Sequence, residues 1–255
     1  MSAALDDAAL AAHLAEYAGR ILLTVRDSGL FEGKALGKTG DQLANQFLIR
    51  ALREQRPDDG ILSEESKDTP ERLSKRRVWI VDPLDGTREY GEGRSDWAVH
   101  VALAVGGEPV IGAVALPGLE GGVVLATDRA SPIPDAAPRP RLAVSRTRPA
   151  GEALAVAEQL GAELVPMGSA GAKAMAVVRG EVDIYLHSGG QYEWDSAAPA
   201  AVALAHGLHA SRIDGAPLRY NQRDPAMPDL LICRKEMADR LVAACRNPND
   251  KGRDE

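Results

Sequence analysis

The sequence predicts an α/β protein with an α+β N-terminal half and an α/β C-terminal half, and three observations carry this. First, Leu10, Leu14, Tyr17, Ile21 and Leu22 recur at helical spacing and place an amphipathic helix over 5–27. Leu43, Phe47, Leu48 and Leu52 repeat that pattern over 41–54. Second, short apolar runs suited to strands follow at 78–81, 98–104, 110–115 and 123–126, with Gly106-Gly107 marking a hairpin between two of them. Third, strands at 141–145, 163–166 and 182–187 alternate with helices at 152–160 and 169–179, the order of an α/β segment. An Ala-rich helix at 196–205 and a strand at 230–232, burying Cys233, complete the reading. The stretch 131–140 holds four prolines and no long apolar run, which makes it the linker. The expected division is 1–135, 136–246 and a polar, disordered tail over 247–255.

Composition narrows the function. The chain has 255 residues, 45% apolar and 26% charged, as an ordinary globular protein does. A net charge of −7 argues against a nucleic-acid polymer or an anionic membrane as partner, since either calls for a basic face. The two cysteines, Cys233 and Cys245, form neither a metal-ligand spacing nor a disulfide framework. No apolar run reaches membrane-spanning length, and Asp6, Asp7, His13 and Glu16 occupy the place where a signal peptide needs a basic start and an apolar core. A cytoplasmic location is the expectation.

The most informative stretch is Asp82-Pro83-Leu84-Asp85-Gly86-Thr87, at the end of the 78–81 strand. Pro83 presets a turn that brings Asp82 and Asp85 to one point. Two carboxylates held that close repel unless a cation neutralises them or one keeps its proton, and hard oxygen donors suit Mg²⁺. The backbone N–H groups of Gly86 and Thr87 would face an anion if they open a helix. The alternative is a plain Asp-Pro turn without chemistry. Two further acidic sites accompany it: Glu64-Glu65 after the apolar pair Ile61-Leu62, and Asp195 in Trp194-Asp195-Ser196-Ala197-Ala198, where a helix N-cap is the alternative. Gly33-Lys34-Ala35-Leu36-Gly37-Lys38-Thr39 imitates a nucleotide-binding P-loop. Its glycines are too close together and no buried strand leads in, so it reads as a basic flexible loop near the site.

Glu64-Glu65, Asp82 to Thr87 and Trp194 to Ala198, in that order, resemble the motifs of the Mg²⁺-dependent, lithium-sensitive phosphatases related to inositol monophosphatase. The resemblance runs from about Leu22 to Leu231 and implies a layered αβαβα sandwich. The continuation Arg88-Glu89-Tyr90, the stretch Val144-Ser145-Arg146-Thr147 and Lys173 upstream of Trp194 are similar to the CysQ-type phosphatases of 3′-phosphoadenosine 5′-phosphate. The activity implied is hydrolysis of the 3′-phosphate to give AMP in sulfur metabolism. An inositol monophosphatase or a fructose-1,6-bisphosphatase-like sugar phosphatase is the alternative, and a non-catalytic metal or nucleotide sensor is a third reading from another class.

The resemblance further implies two or three Mg²⁺ ions. Glu64, Asp82 and the Leu84 carbonyl hold one; Asp82 bridges to another completed by Asp85 and Asp195. It gives Thr87 and Asp41 the attacking water, with Glu64 beside them, and leaves helix N-capping as the equal alternative for Asp41. Glu65 stands either behind the ligands or in solvent. Gly86, Thr87, Ser145, Gly168, Ser169, Lys173, Arg179 and Asp195 are the expected substrate contacts, the N–H groups at Gly168-Ser169 holding a phosphate or sugar hydroxyl; punctuation of a loop and a solvated helix lysine are the alternatives for Ser169 and Lys173. The partner implied is a small phosphomonoester, with a homodimer left open. Three departures weaken the substrate assignment. Tyr185-Leu186-His187 stands where relatives have Tyr-Pro-Arg, so an arginine for the second phosphate is missing and Arg179 or Arg148 must replace it; Arg148 stands where a His is usual; and the Lys-rich loop before Asp41 is short.

Overall fold

A computed structural model describes residues 5–246; residues 1–4 and 247–255, with the expected tail, lie outside the described residues. The chain opens with two helices, α1 (Asp7–Asp27) and α2 (Gly33–Gln55), then β1 (Gly60–Ser63), β2 (Arg77–Asp85), the short α3 (Thr87–Gly91), β3 (Ala98–Val105), β4 (Glu108–Leu116) and β5 (Val123–Ala126). After the 131–140 stretch come β6 (Arg141–Ser145), α4 (Gly151–Leu160), β7 (Glu163–Met167), α5 (Ala170–Val178), β8 (Ile184–Tyr192), α6 (Glu193–Ala205), β9 (His209–Ser211), β10 (Ala226–Cys233) and α7 (Ala238–Arg246).

The strands form two five-stranded sheets, ordered β1-β2-β3-β4-β5 and β7-β6-β8-β10-β9. In the first only β1 and β2 run parallel; in the second β6 is parallel to both neighbours and β10 is antiparallel to β8 and β9. Alternation along β2 shows how the layers arise, because successive side chains leave a strand on opposite faces. Trp79 and Val81 join Leu14, Leu22 and Leu48 of α1 and α2, whereas Val78 and Ile80 join Met175 of α5 and Val202 of α6. The other side of α5 and α6 meets Tyr185 and Ile232 of the second sheet, and its outer face (Leu142, Ile184, Leu231) is covered by α4 and α7. Helices, sheet, helices, sheet, helices: this is the expected αβαβα sandwich. The α6 layer lies close because Gly112 of β4 has no side chain; a Cβ there would sit 2.6 Å from the Ala198 carbonyl oxygen.

Four local expectations change. β2 runs through Pro83 to Asp85 instead of ending at Val81, because its register shifts between Asp82 and Asp85, the kind of bulge that tolerates a proline. α2 begins at Gly33, so the basic stretch is its first turns, not a flexible loop, and Asp41 is an interior helical residue, not an N-cap. The cause is packing: Gly37 abuts Thr87, Gly40 abuts Leu22 and Tyr90, and Gly91 abuts Gly33, contacts that a side chain would block. α6 begins at Glu193, with Asp195 in its first turn. Finally, β9, only three residues long, and α7 come in addition to the expected elements.

Candidate active site

Three chain segments deliver carboxylates to one point beside α5. At the end of β2, Asp82 Oδ1 accepts the Leu84 N–H (3.0 Å), closing a turn around Pro83 that directs Asp82 and Asp85 inward. Gly86 follows at φ 91°, where its missing Cβ lets Ser169 and Trp97 approach, and α3 begins at Thr87. Glu64 extends from β1, its N–H reaching the Val81 carbonyl and its side chain close enough to Asp82 for the two charges to interact. Asp195, in the first turn of α6, accepts the Tyr192 N–H (2.7 Å). Asp82, Asp85 and Asp195 each offer an oxygen within 4.8 Å of the others.

The electrostatics follow from that crowding. Burial, then the charges of Glu64, Asp85 and Asp195, raises the Asp82 carboxyl well above the ordinary range. Asp195 is pushed up to about 7 by burial and then by Asp85. Burial raises Glu64 too. Asp41, buried with Oδ1 unpartnered, is pushed up to about 8 by burial and then by Glu65 and Glu64. Asp85 goes the other way: burial opposes its charge, but the facing His100 ring and hydrogen bonds from Ser169 and Gly171 outweigh it. Carboxylates at this density, several held toward neutrality, with an orphan buried oxygen on Asp41, suit a hard divalent cation. The Leu84 carbonyl accepts from Thr87 Oγ1 (3.1 Å) and keeps a second lone pair.

Two cavities flank the cluster. One of about 470 Å³ is walled by Asp85, Asp195, Ser145, Lys173, Arg148 and His187 among others. The other, of about 690 Å³, is walled by Asp41, Glu64, Glu65, Thr87, Lys34 and Lys38, and Arg88 borders both.

Several expected substrate contacts have a different local task. The N–H groups of Ala170 and Gly171 go to Asp85, that of Ala172 to Ser169 Oγ, and that of Gly168 to Asp96. The helix terminus expected to receive a phosphate is therefore filled by the chain's own carboxylate and cap, as orphan helix donors require. Ser169, at φ 39°, also donates its hydroxyl to Asp85. Lys173 is not a solvated helix lysine: it is 5% exposed, donates to the Gly168 and Ser169 carbonyls, and sits 5.3 Å from the Tyr185 ring centroid. Burial lowers its pKa, against the pull of Asp85 and Glu89. Arg179 is not brought to the cleft. It ends α5, roughly 15 Å along the helix from Ser169 at ~1.5 Å per residue, and pairs with Glu181.

Ser145 lines the cleft and caps the Arg148 N–H. Arg146 is held by Glu89 and Glu92 and Arg88 by Glu92, whereas no ion pair engages Arg148 among the described residues. The sequence reading missed Glu89, Asp96 and His100. For His100 a signal was present, a polar residue inside an apolar strand, where burial demands a partner.

Residues 7–249 match the inositol monophosphatase family. The chain is 52% identical over 258 residues to 3′-phosphoadenosine 5′-phosphate phosphatase of Mycobacterium leprae, covering 96% of this chain and 95% of that one. It is 32% identical over 195 residues to the 3′(2′),5′-bisphosphate nucleotidase CysQ of Escherichia coli, covering 72% and 79%. The crystal structure of CysQ from Bacteroides thetaiotaomicron superposes with a TM-score of 0.76 at 26% identity, over 90% of this chain and 97% of that one. An inositol monophosphatase structure from Anabaena shares the fold, with a TM-score of 0.75 at 22% identity over 93% and 94% of the two chains. With this match over nearly its whole length, the chain belongs to the inositol monophosphatase family.

Proposed function

We propose that this chain is a Mg²⁺-dependent phosphatase that removes the 3′-phosphate of 3′-phosphoadenosine 5′-phosphate, releasing AMP and inorganic phosphate, as a cytoplasmic step of sulfur assimilation. The observation that carries the reading is the cluster of Asp82, Asp85 and Asp195, the last two lining a cleft whose Arg148 has no ion pair among the described residues, in a chain over half identical to phosphatases of that name. Glu64, Asp82, Asp85, Asp195 and the Leu84 carbonyl would hold the two or three ions. When bound, the ions supply charge neutralisation at the phosphoryl oxygens and an acidified water.

The chain's own groups do the rest. Asp41 and Thr87, which line the same cavity, orient the attacking water, and the Asp41 carboxylate takes its proton. The water oxygen bonds to phosphorus as the bond from phosphorus to the 3′ oxygen breaks; that oxygen takes a proton from solvent to become the AMP hydroxyl, and Asp41 returns to solvent the proton it took. Ser169, Ala170 and Gly171 keep Asp85 charged and fixed. Gly86 and Thr87 at the start of α3 would adjoin the reacting phosphate, and Ser145 and Arg148 would meet a second phosphate in the cleft that they line. That second anion favours a bisphosphonucleotide over a simple sugar phosphate.

The test is a comparison of kcat/KM on the bisphosphonucleotide, inositol 1-phosphate and fructose 1,6-bisphosphate with Mg²⁺. A preference for the first supports the reading. A preference for either other substrate moves the chain to the sugar-phosphate branch of the family, and turnover of none favours the sensor.

A further inference from the structure

His100 lies midway along β3 and is completely buried, an expensive place for a polar ring without a task. Its neighbours on that face, Ala98, Ala102 and Ala104, are small apolar residues of the core. The ring stands between two segments that carry acids of the cluster and a third that holds one of those acids in place. Nδ1 lies 2.9 Å from the carbonyl oxygen of Trp194, the residue before Asp195, and because a carbonyl only accepts, Nδ1 carries the hydrogen. Nε2 lies 3.3 Å from Asp85 Oδ2 without an aligned hydrogen-bond partner, so the ring presents a buried orphan atom to that carboxylate.

The third segment is the start of α5. A Cβ on Gly171 would fall 2.0 Å from Nε2, so the ring fits only because that residue is glycine. The same Gly171 donates its N–H to Asp85 Oδ2. Ring, glycine and carboxylate form one close-packed unit, tied through Trp194 to the first turn of α6.

We propose that His100 is a positioning residue for the metal centre: it sets the separation between Asp85 and Asp195 by bracing one carboxylate directly and the other through the Trp194 carbonyl. The inference rests on the metal-dependent reading above. The ring touches neither substrate nor solvent and acts through the two acids. Groups that orient metal ligands in this way commonly govern affinity or rate by about 10- to 100-fold.

Three variants separate positioning from mere filling of space. His100→Asn keeps a donor near the Nδ1 position and loses the reach to Asp85. His100→Gln extends its amide to the Nε2 position. Gly171→Ala leaves the ring's chemistry intact but displaces it. Each full-length protein is checked for a cooperative thermal transition, then titrated calorimetrically with Mg²⁺ alone, and its KM and kcat are measured separately.

The expected result is Mg²⁺ binding weakened about ten-fold or more in His100→Asn and in Gly171→Ala, with substantial recovery in His100→Gln. In the Asn and Ala variants kcat at fixed Mg²⁺ should fall, and KM should move little. A parent that binds no Mg²⁺, or does not turn over the bisphosphonucleotide, sinks the functional reading itself. A functional parent whose His100→Asn variant binds Mg²⁺ within two-fold of it overturns the role of His100 specifically. So does a His100→Gln variant as impaired as His100→Asn, which would leave only ring packing.

Discussion

At the scale of single residues, the cleft separates groups left open to a ligand from groups that hold the site together. Lys173 spends two donors on the Gly168 and Ser169 carbonyls, and Ser169 in turn holds Asp85. Lys173→Ala should therefore reduce turnover of bisphosphonucleotide and inositol 1-phosphate alike. Arg148 has no ion-pair partner among the described residues, and a charge-assisted phosphate contact is worth roughly 1.5–3 kcal/mol. Arg148→Ala should raise KM for the bisphosphonucleotide about ten-fold and spare inositol 1-phosphate, which carries no second phosphate. Steady-state kinetics on both substrates check the pair; the opposite pattern would exchange their roles. Asp41 supports a pH prediction. Its carboxyl is raised to about 8, so between the ordinary carboxylate range and pH 8 the folded chain binds the extra proton, and stability falls as pH rises. Asp41→Asn removes that slope. In metal-free protein its stability relative to the parent should improve from pH 6 to pH 8 by on the order of 1–2 kcal/mol, read by denaturant titration at both pH values.

At the scale of elements, the sequence announced what periodicity encodes and missed what neighbours impose. The helical stripe from Leu10 to Leu22 and the apolar runs of β3 and β4 were legible, because one period of burial writes itself into each. The start of α2 was not, since glycines at 33, 37 and 40 disfavour a helix in isolation; close packing on Thr87, Leu22 and Tyr90 overrides that propensity. Continuation of β2 through Pro83 escaped for the same reason, the bulge being a property of its pairing with β3. The acids Asp82, Asp85 and Asp195 were legible as a motif. That Asp85 would cap α5 was not, because the two residues in contact lie far apart in sequence. Gly86 tests the junction of β2 and α3. Its φ of 91° is strained for any side chain, and a Cβ would come within 3.1 Å of Ser169 Cβ. Gly86→Ala should destabilise by about 1–2 kcal/mol and lower turnover, because Ser169 holds Asp85. Thermal unfolding and kcat together check this; a variant normal in both would remove the junction from the site.

At the scale of the whole molecule, the proposed metal ligands come from elements in different layers, so cation binding should report on the fold as a unit. Glu64 and Asp82 extend from the first sheet, whereas Asp195 belongs to a helix packed between the two sheets. Without a cation their mutual repulsion opposes this packing, most strongly when protons are scarce. A cation that binds only the folded chain stabilises it by mass action, about 2.7 kcal/mol at a hundred-fold excess over Kd. For a chain of this size each kcal/mol moves Tm by roughly 2–4 °C, so saturating Mg²⁺ should raise it by about 5–10 °C. Carboxyls raised by burial and by one another release protons when a cation arrives, so the gain should be larger at pH 8 than at pH 6. Asp82→Asn separates this from a general salt effect. It keeps the acceptor for the Leu84 N–H while removing one charge from the centre of the cluster. Its metal-free Tm at pH 8 should match or exceed the parent's, and Mg²⁺ should then raise it by less than half as much. Thermal scans of both proteins with chelator and across a Mg²⁺ series decide the matter. Equal Mg²⁺ gains in parent and variant would show that the cation acts elsewhere, and that the four acids are held together by shared protons alone.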